Sequence, residues 1–296
     1  MTVCDAESHL NGIMCRYFSR SAAIFKAAYI IGHITGTSIR DRIGDRTSTL
    51  SQDQKKTFDK YVAELNAGKP IEYVLNEAIF YGQNFYVDEN VTIPGGDTTR
   101  MVKWALESFL FEDSNPDYKE KELSIIDIGT GCGCIAITLK KHLPRARIYA
   151  IEESEKALQV AKRNAKNNDV EIDFLHMDLF DWREWDKLPK MDLVICNPPY
   201  VPARDQDTLN KIARMYEPNK GLFLDHDNPL IFHVSLALFA HLKLKPKAFL
   251  FAEIHEIPGS ELMNFYTSQG FRAYIYKTDI LRADVVIRVY KDYSGE

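Results

Sequence analysis

The chain has 296 residues, is 45% hydrophobic and 27% charged, and carries a formal net charge of −5. That size suits one large unit plus a small one, and the acidic balance argues against an extended nucleic-acid-binding face. No apolar run is long and uninterrupted enough to span a bilayer, and five irregularly spaced cysteines without a signal peptide point to a reducing, cytoplasmic setting rather than a disulfide framework.

Residues 1–75 read as a helical module. In "SAAIFKAAYIIGHITG" the residues Ala22, Ala23, Phe25, Ile30, Ile31 and Ile34 are expected on one buried face, with Gly36 as the stop. A second helix follows Ser51 as N-cap. It buries Phe58, Tyr61, Val62 and Leu65 and ends at Gly68 and Pro70. There is little site chemistry here. Residues 76–96 change pattern, with short alternating apolar pieces around Gly82 and the Asp88-Glu89-Asn90 cluster that predict a linking hairpin. "GGDTTRMVKWALESFLF" predicts a helix capped by Asp97 or Thr98, with Met101, Val102, Ala105, Leu106 and Phe109 inward.

Within residues 97–296 strands and helices alternate. "LSIIDIG", "RIYAIEE", "IDFLHMD", "MDLVICN" and "KAFLFAEI" are near-continuous apolar strands separated by helices, the pattern of a mostly parallel sheet covered on both faces. "FRAYIYKT" and "ADVVIRVY" close the chain as an antiparallel edge. "HLKLKPK" reads as the solvated end of a helix, and "DWREW" as a packed surface loop.

Two stretches carry chemistry. "DIGTGCG" (Asp127 to Gly133) lies between an apolar strand and a helix, where glycine permits a tight turn and a close ligand. Glu152 ends the next strand about twenty residues on, in place to accept hydrogen bonds from two ribose hydroxyls. Asp178, after the third strand, is placed to meet an adenine amino group. No third glycine follows Gly133 at the dinucleotide spacing, and Asp127 stands two residues before the first glycine. An acid there suits a sulfonium ligand with a cationic amino group better than a pyrophosphate, so the nucleotide expected is S-adenosylmethionine. Cys132 and Cys134 lack the second pair a zinc site needs.

The second stretch, Asn197-Pro198-Pro199-Tyr200, ends the fourth strand at the sheet edge where ligands of open α/β folds bind. A planar amino group is a poor nucleophile because its lone pair is delocalised. The Asn197 carboxamide oxygen and the Pro198 carbonyl can each accept one of its N–H bonds, which aims the lone pair and favours pyramidalisation as the transition state forms. Two prolines stiffen the turn, and Tyr200 can stack on the flat acceptor.

"DIGTGCGCIAITL", "AIEESEKALQVAKRNA", "MDLF", "DLVICNPPYV", "YEPNKGLF" and "DILRADVVIRV" together resemble the HemK/PrmC glutamine methyltransferases. The similarity runs from about Ser21 through most of the chain. It implies a Rossmann-like S-adenosylmethionine-dependent methyltransferase sheet behind a small N-terminal helical domain that helps dock a protein substrate. It implies methylation of the glutamine amide in the Gly-Gly-Gln loop of a peptide chain release factor. By the same resemblance Gly129, Thr130, Gly131, Cys132, Gly133, Glu152, Leu179 and Asn197 line the cofactor site, and Asn197 to Tyr200 hold the substrate amide. The family's "IPRP(D/E)TE" stretch is here "IPGGDTTRMV", with Gly95-Gly96 for Arg-Pro and Thr99 for the final acid, and Glu152 stands where Asp is usual. Three other readings share these motifs: a glutamine methyltransferase of a ribosomal protein, an amino-methyltransferase of DNA or RNA, and a non-catalytic S-adenosylmethionine-binding protein.

Overall fold

A computed structural model describes residues 1–42, 47–112, 122–199, 201–202, 216, 218, 223–224, 228, 230–254, 257–278 and 283–292. The chain divides into two compact units, Met1–Glu77 and Ala78–Glu296. Among the described residues no helix is long and apolar enough to cross a membrane.

The first unit holds α1 (Val3–Met14), α2 (Arg20–Thr35), α3 (Ile39–Arg42), α4 (Gln52–Asn66) and α5 (Ile71–Leu75). α1 and α4 each open on a reciprocal capping box: Thr2 with Asp5, and Ser51 with Gln54. Each box satisfies end N–H groups that the helix leaves without a partner. α2 ends on Gly36, left-handed at φ 71°. The core joins Leu10, Ile13 and Met14 of α1 to Ala23, Ala27, Ile30 and Ile31 of α2 and Phe58 and Leu65 of α4. Phe25, expected inward, is 62% exposed. Positions 23, 27, 30, 31 and 34 follow one helical face, and position 25 lies about 200° round from 23, so small alanines rather than the ring meet α1.

The second unit opens with a hairpin, β1 (Ala78–Phe80) and β2 (Gln83–Phe85), joined by Tyr81-Gly82 at φ 50° and 75°. Two left-handed residues match the twist of the strands they connect. α6 (Gly96–Glu112) begins before the expected cap, so Asp97 and Thr98 lie in its first turn. Their side chains bond Arg100 and Asn197 instead of capping the helix. The inward face is as expected, with Met101, Val102, Ala105, Leu106 and Phe109 buried.

The chain then runs through β3 (Ser124–Ile128), α7 (Cys134–His142), β4 (Arg147–Glu152), α8 (Glu155–Asn167), β5 (Asp173–His176), a 3-10 helix (Trp182–Lys187), β6 (Met191–Cys196) and the short pair β7 (Val201–Pro202) and β8 (Phe223–Leu224). It closes with α9 (Ile231–Lys243), β9 (Leu244–Glu253), α10 (Gly259–Ser268), β10 (Arg272–Lys277) and β11 (Asp284–Tyr290). The seven-stranded sheet has the order β10-β11-β9-β6-β3-β4-β5. β9, β6, β3, β4 and β5 pair in parallel, while β11 runs antiparallel to both β9 and β10. The reversed strand is therefore the penultimate one, with β10 at the rim.

One sheet face packs Ile126, Ile128, Val194, Cys196, Leu250 and Ala252 against Leu236, Phe239 and Ala240 of α9. Trp185 belongs to this core, 2% exposed and edge-on to Phe239 at 5.0 Å, while Trp182 stays 59% exposed. "HLKLKPK" divides: α9 stops at Lys243 and β9 starts at Leu244, with Lys245 paired to Asp192 at 2.6 Å. The strand order reverses at β3, so β3 and β6 end side by side, Ile128 opposite Cys196. That is the switch point where open α/β sheets leave a crevice.

The α2 face yields a direct check. Leu10→Ala, at a fully buried position, is expected to cost about 3 kcal/mol. Phe25→Ala is expected to cost under about 0.5 kcal/mol. Urea unfolding of the full chain measures both, and equal costs would place the ring back in the core.

Candidate cofactor and acceptor site

The turn from β3 into α7 is left-handed at alternate residues: Gly129 at φ 70°, Gly131 at 54° and Gly133 at 83°. A side chain at Gly133 would stand 3.1 Å from Ile137 Cδ1 and 3.3 Å from Ala161 Cβ, so this glycine lets α7 and α8 close on each other. At Gly129 a Cβ would meet nothing within 4 Å, and at Gly131 only Thr92 Oγ1 at 4.0 Å. Those two positions leave the main chain open to a ligand.

The loop is tied to the end of β4. Gly129 and Thr130 donate their N–H groups to Ile151 O at 2.9 and 3.1 Å. Gly131 N–H donates to Glu152 Oε2 and Ser154 N–H to Glu152 Oε1, both at 3.0 Å. Glu152 is 9% exposed. Burial raises its carboxyl above the ordinary value, opposed by the Ser154 and Gly131 N–H bonds. Each oxygen keeps acceptor capacity for a further donor.

Asp127 is fully buried. Its Oδ2 accepts from the Thr130 hydroxyl at 2.6 Å and from Ala136 N–H at 3.2 Å. Its Oδ1 is buried with no hydrogen-bond partner among the described residues. Burial pushes the carboxyl up to about 7, against the pull of the Thr130 and Ala136 bonds, and Glu152 pushes the same way as burial. An acceptor oxygen buried without a donor is costly, and an ammonium group would satisfy it. With two open glycines and a buried acid at the end of β4, this donor set fits S-adenosylmethionine.

The remaining expected residues divide. Thr130 and Cys132 are buried in the loop. Asp178 is exposed two residues past β5, and its Oδ1 accepts Phe180 N–H at 2.8 Å. The Leu179 side chain joins the hydrophobic core at 5% exposure. Asn197 follows β6 and is half-buried; its Nδ2 donates to Thr98 Oγ1 at 3.3 Å. Pro198 is buried and Pro199 half-buried. Tyr200 and most of "YEPNKGLF" lie outside the described residues. By register Asn197 and Gly129 continue adjacent parallel strands, about 4.8 Å apart.

Two side chains were not read as site residues from the sequence. One is Thr98, buried at 3% exposure and brought to Asn197 by α6. The other is Asn164 of α8, fully buried, which accepts from Tyr86 N–H at 2.7 Å and donates to Tyr86 O at 2.8 Å and Cys132 O at 2.9 Å. It stitches the exit of the hairpin to the glycine loop. The signal for Asn164 was a polar residue among the buried positions Leu158, Ala161 and Ala165 of an amphipathic helix. Nothing local marked Thr98, because its partner lies 99 positions away.

Residues 111–221 match the family described as Methyltransferase small domain. The chain is 34% identical over 240 residues to the release factor glutamine methyltransferase of Flavobacterium psychrophilum, spanning 81% of this chain and 82% of that one. It is 34% identical over 245 residues to the protein of the same name from Chlorobaculum tepidum, spanning 82% of each. Among solved structures, the hMettl16 catalytic domain in complex with MAT2A 3′UTR hairpin 6 matches with a TM-score of 0.53 at 15% identity, over 72% of this chain and 77% of that one. That likeness is one of fold.

Asp127 and Asn164 give separate tests. Between its ordinary value of 3.8 and about 7, the Asp127 carboxyl holds a proton in the folded chain that the unfolded chain has lost. Ligand-free stability should therefore fall as pH rises across that interval, and Asp127→Asn should flatten the slope. Unfolding free energies measured from pH 4 to pH 8 decide it; an identical slope in the variant removes Asp127 as its source. Asn164→Ala leaves one buried and two part-buried backbone groups without their partner and should cost about 3 kcal/mol, read as a lowered urea midpoint.

Proposed function

Because the chain belongs to the release factor glutamine methyltransferase family, we propose that it transfers a methyl group from S-adenosylmethionine to the side-chain amide nitrogen of the glutamine in the Gly-Gly-Gln loop of a peptide chain release factor. The observation that carries this reading is the meeting of two half-sites at one switch point: the glycine loop after β3, and Asn197-Pro198 after its parallel neighbour β6.

S-adenosylmethionine, when bound, supplies a methyl group made electrophilic by its sulfonium. The residues of this chain do the rest. Asp127 Oδ1 receives the amino group of the ligand, Glu152 its ribose hydroxyls and the open main chain at Gly129 and Gly131 its body. Asp178 and Leu179 border the adenine. Asn197 Oδ1 and the Pro198 carbonyl each accept one N–H of the glutamine amide, drawing its nitrogen out of conjugation and aiming the lone pair. These bonds strengthen as positive charge grows on that nitrogen, so they stabilise the transition state more than the bound substrate. The methylated nitrogen sheds its extra proton after the bond forms, so no positioned base is required. Tyr200 supplies a flat surface for the amide. The helices of residues 1–75 dock the release factor, and the protein works in the cytoplasm.

Support for this arrangement despite the Gly95-Gly96 departure comes from α6. α6 forms from Gly96 onward, and its third residue, Thr98, still reaches Asn197.

The test is methyl transfer from labelled S-adenosylmethionine to a purified release factor, with a ribosomal protein fraction and nucleic acid as alternative acceptors. One labelled glutamine is expected on the release factor. Asn197→Ala should lower kcat about a hundredfold to a thousandfold. Label on nucleic acid alone, or none with wild-type protein, overturns the reading.

A further inference from the structure

α6 delivers more than a wall to the acceptor side. Thr98 sits in its first turn, 3% exposed, and its Oγ1 accepts the Asn197 Nδ2–H at 3.3 Å. An Asn carboxamide has two ends of nearly equal shape and opposite hydrogen-bonding character. Only the oxygen end can accept an N–H from an acceptor amine. The threonine hydroxyl ties one end of the carboxamide down, and it does so from a 17-residue helix rather than a loop.

We infer that Thr98 is a positioning residue that fixes the Asn197 carboxamide in place beside the acceptor amine. This rests on the reading that Asn197 takes that amine. A Cβ built at Gly96 meets nothing within 4 Å, and one at Gly95 meets only Thr98 Oγ1 at 3.9 Å. The hydroxyl therefore reaches Asn197 without side chains at positions 95 and 96.

Thr98→Val exchanges the hydroxyl for a methyl of the same size, and Thr98→Ser keeps the hydroxyl. In the full chain, Thr98→Val is expected to lower kcat on a release factor about tenfold to a hundredfold. Thr98→Ser should restore most of the rate. In an Asn197→Ala background the valine change should have no further effect, since the group it positions is gone. A substrate-free readout stands beside these. The Asn197 side-chain NH2 signals in 15N NMR, assigned by their loss in Asn197→Ala, should shift in the Val variant and stay near wild type in the Ser variant. Unmoved amide signals, an unchanged kcat in Thr98→Val, or an equal loss in the Asn197→Ala background each overturn the inference. Wild-type protein that methylates no release factor overturns the functional reading instead, and the amide signals then decide the role of Thr98 by themselves.

Discussion

The site depends on one pairing, the parallel register that sets Ile128 of β3 opposite Cys196 of β6. The two strands are separated in sequence by β4, β5 and their helices, and they meet because the strand order reverses at β3. Side-chain direction alternates along a strand, so a one-residue slip would turn Cys196 out of the core and carry Asn197 to the other face. The surrounding side chains, among them Ile126, Val194, Leu250 and Phe239, are buried on the α9 side and hold that register.

Around this pairing the polar groups are arranged so that few go unmatched. Glu152 is buried but holds two backbone N–H groups, one from the glycine loop and one from the start of α8. Asn164 satisfies three backbone groups at once, and thereby fixes the hairpin exit to the loop. Asp127 departs from this pattern: Thr130 and Ala136 both bond Oδ2, and Oδ1 remains buried and unmatched among the described residues. A carboxylate kept in that condition raises its own proton affinity, which is why burial outweighs two hydrogen bonds. Stability given up there is consistent with a group shaped for a cationic partner.

α6 plays a comparable part on the acceptor side. Its inward stripe of Met101, Val102 and Ala105 is fully buried, so the helix is anchored by packing and not by its first turn. The first turn is then available for Asp97 to pair with Arg100 and for Thr98 to reach Asn197.

Much of this was legible in the residues alone. The alternation of apolar strands and helices marked the sheet, "DIGTGCG" the left-handed turn from β3 into α7, and Asn197-Pro198-Pro199 the end of β6, because each depends on local spacing and on backbone limits that glycine and proline impose. The face of α2 was misjudged at Phe25, because hydrophobicity alone does not reveal that small alanines let two helices approach. The start of α6 was placed too late, because the side chains of Asp97 and Thr98 serve tertiary partners instead of the helix end. Strand order, the position of the reversed strand β11, the bonds of Asn164 and the contact between Thr98 and Asn197 came only from the folded chain. Each joins residues tens of positions apart, and such pairings are selected by the burial of a shared core, which no short stretch of sequence contains.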